Sequence, residues 1–149
     1  MMPDNMTALP DRLSDTAAAA ASTSIDGVDL EALAQRLATP LHVYSSAAID
    51  QRIDALKSAL AGLDAMICYA VKANSSQAIL QRMHQAGLGA DIVSVGELRR
   101  SLRAGMPASR IVFSGVGKTV TEMAEALQAG IARFNVESAD ELRTLDGVA

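Results

Sequence analysis

The sequence predicts an α/β fold built on a parallel sheet, and three observations carry that expectation. Apolar strand-like runs begin near Met66, Ala90, Arg110 and Ala132, and a helix-like segment follows each of them. The repeat is roughly 22 residues, too short for a second strand per unit and ample for one βα unit. Gly87, Gly105 and Gly130 stand where the first three of these helices should end, the position at which a left-handed glycine stops a helix. Four consecutive βα units require a parallel sheet with right-handed crossovers, either an open doubly wound sheet or part of a (β/α)8 barrel.

Element by element, residues 1–25 are polar and rich in small residues, with Ala17 to Ser24 at their centre, and read as a flexible leader. Leu30, Leu33 and Leu37 at helical spacing predict a helix over Asp26 to Ala38, stopped by Thr39-Pro40. Leu41 to Tyr44 reads as a strand. Ser45 or Ser46 can cap the next helix, Ala47 to Leu60, along which Ile49, Ile53, Leu56 and Leu60 form an apolar stripe. The run Met66 to Val71 is apolar enough to be a strand buried on both faces. Ala73 to Ser76 forms a loop with Ser and Asn residues able to cap a helix over Gln77 to Gln85. Later helices are expected over Gly96 to Ala104, Val120 to Gln128 and Ala139 to Leu145.

Composition narrows the function classes. The chain has 149 residues, half of them hydrophobic and 20% charged, which fits one globular domain. Only 3% are aromatic and Trp is absent, so the core must be aliphatic and alanine-rich. A net charge of -4 offers no electrostatic footprint for nucleic acid. No apolar stretch is long enough to cross a bilayer. A single cysteine excludes an internal disulfide framework, and without Cys/His clusters no metal site is expected. The N-terminus carries Asp4, Asp11 and Asp15 where a secretion signal needs positive charge, so a cytoplasmic location is expected.

In either architecture ligands gather at the C-terminal ends of the strands, where Lys72, Ser94, Ser114-Gly115 and Glu137-Ser138 fall. Lys72 is the most informative of these. An ammonium where an apolar strand ends lies at the strand mouth, and partial desolvation there eases loss of its proton. That makes Lys72 a candidate amine nucleophile towards a carbonyl cofactor, against the plainer reading of a lysine that reaches out to water. Asp91 sits early in its strand, where a carboxylate is disfavoured without a hydrogen-bond partner or a ligand. Glu97, Arg99, Arg100 and Arg103 read as a solvated helix face with close-range ion pairs. Ser114 to Thr119 invites a phosphate-loop reading, but Val112 stands where the Walker pattern needs glycine. It is therefore a glycine-rich turn with Thr119 as helix cap. Gly87-Leu88-Gly89 precedes a strand, so it is a helix stop and no dinucleotide fingerprint. Cys68 reads as a small inert thiol.

Tyr69-Ala70-Val71-Lys72-Ala73-Asn74 resembles the cofactor-lysine motif of the fold-type III pyridoxal-phosphate decarboxylases, which act on ornithine, arginine and diaminopimelate. Gly89 to Leu98, Arg110 to Thr119 and Phe134 to Ser138 are similar to further strands and loops of that family, in order, from about Thr39 onward. The resemblance implies a partial (β/α)8 TIM-type barrel of about four βα units over residues 46–149. Residues 26–45 would then be a helix and a strand leading from a separate β-domain. It implies pyridoxal 5'-phosphate as cofactor, with Lys72 condensing with its aldehyde and Ala70, Asp91 and Glu97 shaping the pocket. It implies decarboxylation of an amino acid, most closely meso-diaminopimelate to L-lysine, in a full-length homodimer without membrane or nucleic-acid partners. Ornithine or arginine decarboxylases, racemases, pyridoxal-phosphate-binding proteins and a non-catalytic remnant are the alternatives. Family members continue well beyond Ala149, so the chain is expected to be an N-terminal piece, inactive alone and prone to aggregate.

Overall fold

The computed structural model describes residues 23–149, so the expected leader lies outside the described residues except for residues 23–25. The chain divides into two compact units between Arg52 and Ile53.

The described part of the first unit begins with a hairpin that sequence reasoning missed. Ser24–Ile25 (β1) and Val28–Asp29 (β2) pair antiparallel. Between them Asp26 and Gly27 have φ of 52° and 78°, the signature of a two-residue type I′ turn, for which Asp-Gly is a favoured pair. The helix expected from Asp26 therefore begins later, as α1 (Leu30–Leu37). Asp29 caps it, its Oδ1 accepting from Glu31 N at 2.8 Å and Ala32 N at 3.1 Å. Asp26 serves the next helix, α2 (Ser46–Ala59), by accepting from Ser45 Oγ at 2.7 Å and Ala47 N at 3.2 Å. Those donors hold its carboxyl below the usual carboxylate range, the serine hydroxyl contributing most. Of the two candidate caps, Ser45 is the one used, its Oγ accepting from Ala48 N at 2.9 Å. The strand expected at Leu41 to Tyr44 does not form; these residues are irregular and join no sheet among the described residues.

The second unit carries the repeats. Its elements are β3 (Cys68–Ala70), α3 (Gln77–Gln85), β4 (Gly89–Ile92), α4 (Val95–Arg103), β5 (Ile111–Phe113), α5 (Val120–Ala129), β6 (Arg133–Phe134) and α6 (Ala139–Asp146). The four strands are parallel, in the order β3-β4-β5-β6, and each helix packs on the next. A doubly wound sheet reverses its strand order at a switch point, whereas a barrel winds on in one direction. The unbroken order and the single run of neighbouring helices make this a sector of a barrel, which resolves the choice that spacing alone leaves open.

Period-two alternation separates the two faces of the sheet. Ala90, Ile92, Ile111 and Phe113 are fully buried on the helix-facing side, with Leu80, Leu98, Met106 and Met123 from the helices and their connections. The core is aliphatic as expected, apart from Phe113, which stacks on Phe134 with ring centroids 5.7 Å apart. The opposite face carries the row Ala70, Asp91, Val112, Arg133, each the register partner of the next. The expectation that Met66 to Val71 is buried throughout needs correction. β3 is only three residues long and half-buried, and Val71 alone of the run is buried, because among the described residues β3 is an edge strand with one neighbour.

The glycine stops act as the sequence indicates. Gly87, Gly105 and Gly130 adopt φ of 76°, 93° and 72°. Each ends its helix with the same pair of bonds, as in Gly87 N to His84 O at 2.8 Å with Leu88 N to Met83 O at 3.0 Å. Gly89 has a different task, since a Cβ there would collide with the Arg110 carbonyl and approach Cys68 Sγ to 2.9 Å.

Candidate active site

The segments that follow β3 to β6 form one rim at the C-terminal end of the sheet. Lys72 lies on a single 3-10 turn, Val71–Ala73, directly after β3. Val71 is buried beneath it and Lys72 itself is exposed. The expected partial desolvation is therefore absent, because the edge strand leaves one side of the turn uncovered. Tyr69 Oη donates to Asn74 O at 3.2 Å, which ties the strand to the loop beyond the lysine. Ser76 takes the N-cap position of α3 without capping through its hydroxyl; Asn74 Oδ1 instead accepts from Ser76 N at 3.0 Å.

Ala70 and Asp91 are brought together as register partners on the inner face. Asp91 has the hydrogen-bond partner that its place in a strand demanded: Ser114 Oγ donates to its Oδ1. Ser114 Oγ in turn accepts from Asn135 Nδ2 at 2.9 Å. Three successive strands thus contribute to one polar chain across the rim, with every donor pointing towards Asp91. Asp91 also bears on Cys68, which shares an open concavity with it on the inner face. Burial, and then the Asp91 charge, push the Cys68 thiol up, consistent with an inert thiol. Iodoacetamide should alkylate Cys68 more slowly than a free thiol at pH 8, and Asp91→Asn should speed the reaction. An unchanged rate in that variant would show that the carboxylate does not act on the thiol.

Glu97 is placed differently. Its Oε2 accepts from Val93 N at 2.8 Å while Ser94 Oγ accepts from Glu97 N at 3.3 Å, so its carboxylate closes the turn after β4. The ion pairs expected along α4 are also redirected. Arg99 reaches Glu125 on α5 through two bonds of 2.6 and 2.7 Å, and Arg100 Nη1 donates to Ser75 O at 3.4 Å. Position on a helix face cannot reveal whether a partner comes from the same helix or from its neighbour.

The sequence Ser/Thr-x-x-Glu recurs at 94–97, 119–122 and 138–141, at the N-termini of α4, α5 and α6. Thr119 caps α5 as expected, with a reciprocal capping box to Glu122. Glu122 also reaches back to Val95 N at 3.1 Å, so it joins two rim loops. The Val95 and Thr119 amides hold its carboxyl below the ordinary glutamate value of 4.5. A carboxyl lowered in the folded state adds stability that is present above 4.5 and is lost as pH falls through the folded value. Glu122→Gln should therefore cost stability at neutral pH, and the gap from wild type should shrink on acidification. A gap that persists unchanged at low pH in urea titrations would refute this.

Sequence reasoning missed Lys118 and Asn135 as parts of the rim. The Lys118 side chain is 1% exposed and pairs with Glu141 of α6 at 2.6 Å. Asn135 stood inside a recognised motif, but nothing local to either residue indicates a partner more than 15 positions away.

Comparison with known proteins agrees with this geometry. Residues 46–149 match the family model described as "Pyridoxal-dependent decarboxylase, pyridoxal binding domain". Diaminopimelate decarboxylase of Pseudomonas aeruginosa is 48% identical over 124 residues, 83% of this chain and 30% of that protein. The Aquifex aeolicus enzyme of the same name is 49% identical over 125 residues, 84% of this chain and 29% of that protein. The crystal structure of Helicobacter pylori diaminopimelate decarboxylase complexed with L-lysine superposes with a TM-score of 0.77 at 44% identity, covering 80% of this chain and 30% of that one. The chain thus spans about 30% of the length of the relatives it matches. With the family model covering most of its length and Lys72 at the end of a barrel strand, the chain belongs to the pyridoxal-dependent decarboxylases and carries part of their pyridoxal-binding domain.

Proposed function

We propose that this chain supplies the cofactor lysine of a pyridoxal-phosphate-dependent amino-acid decarboxylase, acting on meso-diaminopimelate to give L-lysine. The observation that carries the reading is Lys72, an accessible primary amine on the turn that ends β3, beside the Ala70–Asp91 pair on the inner face. The residues present fit the aldehyde end of the cofactor. Lys72 is exposed, and Ala70 offers only a methyl group on the face where a flat ring would lie. When bound, pyridoxal phosphate supplies a ring that accepts the electron pair released as carbon dioxide leaves. Lys72 would hold the cofactor through its aldehyde group. Asp91 presents an oriented carboxylate, and Glu97 contributes through the turn that it closes. The names of the relatives support diaminopimelate over other amino acids, and lysine is the molecule held by the Helicobacter pylori relative. The whole protein is a homodimer in the cytoplasm on this reading. Among the described residues no helix is long and apolar enough to cross a membrane.

The test is chemical. The chain is incubated with pyridoxal 5'-phosphate, reduced with borohydride and mapped by peptide mass spectrometry. The reduced adduct is expected on Lys72 in preference to the other lysines, and to be absent from that peptide in Lys72→Ala. Labelling spread evenly over Lys57, Lys72 and Lys118 would overturn the reading. Release of carbon dioxide from diaminopimelate is not expected from this chain alone.

A further inference from the structure

Lys118 is a buried ammonium for which the proposed chemistry has no use. All three of its protons are taken, by Gly115 O at 2.7 Å, Asn135 O at 2.8 Å and Glu141 Oε1 at 2.6 Å. The Phe113 ring centroid lies 5.8 Å from Nζ. A charge this buried persists only where every donor is matched, so its surroundings are held to one geometry. Two of the three acceptors are backbone carbonyls flanking the polar chain that ends on Asp91: Gly115 follows Ser114, and the other is Asn135 itself.

We propose that Lys118 is a positioning residue that sets the Asp91 carboxylate through Asn135 and Ser114. The backbone of each relay residue is pinned from the sheet side, Asn135 N donating to Phe113 O at 2.9 Å and Ser114 N to Ile92 O at 2.8 Å. Lys118 holds the carbonyl of Asn135 and that of Gly115, the residue after Ser114, and the Asn135 amide lies 2.9 Å from Ser114 Oγ. A hydroxyl has one proton. With Asn135 donating to its oxygen, Ser114 directs that proton to Asp91 Oδ1 and is held from turning to another acceptor. One Asp91 oxygen is thereby anchored, on the residue whose register partner on the inner face is Ala70. Glu141 balances the ammonium, so the device adds no net charge to the rim. The consequence for the cofactor rests on the reading of the rim given above, but the geometry can be measured without cofactor.

The experiment uses the 15N-labelled, cofactor-free chain. Lys118→Met/Glu141→Met removes the ammonium together with its counter-charge, so that no carboxylate is stranded. Ser114→Ala defines the full displacement of the Asn135 side-chain amide resonance when its acceptor is lost. The double variant should reproduce at least half of that displacement while the backbone amides of Ile92 and Phe113 hold their positions. An Asn135 resonance unmoved in the double variant but moved in Ser114→Ala would overturn the proposal. So would equal movement of all three signals, which a purely structural role would give. If circular dichroism shows the double variant unfolded, Lys118→Arg asks the same question. A guanidinium spreads its five donors over a plane on a longer side chain and cannot place three of them where one nitrogen meets these converging oxygens, so the same displacement is expected and its absence would be decisive against the proposal. With cofactor added, the borohydride-trapped adduct on Lys72 should fall several-fold in Ser114→Ala and in the double variant alike. A wild-type chain that forms no adduct would remove the Lys72 reading and leave the amide result standing.

Discussion

Lys118→Met is expected to destabilise the chain by about 3–5 kcal/mol, and adding Glu141→Met should recover most of that loss. The single substitution removes an ammonium and leaves the Glu141 carboxylate, in a side chain only 10% exposed, without its counter-charge. It also strips a donor from two rim carbonyls. Breaking one half of a buried ion pair costs far more than replacing both halves with apolar groups of similar volume, because the surviving charge has lost both water and partner. Urea unfolding of the single and double variants measures the difference directly. Equal midpoints for the two would show that Glu141 finds water or another cation, and that the pair does not fasten the loops after β5 and β6.

Phe113→Ala is expected to cost a similar amount, about 3–5 kcal/mol, through lost transfer energy and the cavity left behind. Phe113 is fully buried, stacks on Phe134 and lies beneath Lys118. It sits on β5, an inner strand of the sheet, and its carbonyl accepts from Asn135 N. A double-mutant cycle with Phe134→Ala should return a coupling of about 0.5–1.5 kcal/mol for the ring pair. Phe113→Leu should be much milder, since it restores most of the volume. A loss below about 1 kcal/mol for Phe113→Ala would mean that the site collapses around the gap, and that β5 is not where packing is tightest.

Much of the fold was legible because its signals are local. The stops at Gly87, Gly105 and Gly130 depend on backbone conformation within one turn, and the Thr119 cap depends on a residue three positions away. Lys72 was legible for the same reason, since an apolar run that ends in a lysine marks a strand mouth. Its degree of burial was not, because that depends on whether a neighbour covers β3, and strand order is a non-local property. The hairpin at Asp26-Gly27 was a missed local signal: leucine spacing downstream extended the helix over a pair whose turn preference is stronger.

By itself the sequence determined the repeating βα plan, the rim on which its loops meet and the lysine at the first strand mouth of that repeat, since each follows from periodicity, turn chemistry or a contiguous motif. Only the tertiary structure decided that Lys72 stands exposed after an edge strand, that Arg99 pairs across helices, and that Lys118, Asn135 and Ser114 converge on Asp91. Hydrogen bonds and ion pairs act over about 3 Å of space, whatever the separation along the chain. Residues 23 positions apart, such as Lys118 and Glu141, become neighbours only once packing has stacked one βα unit on the next.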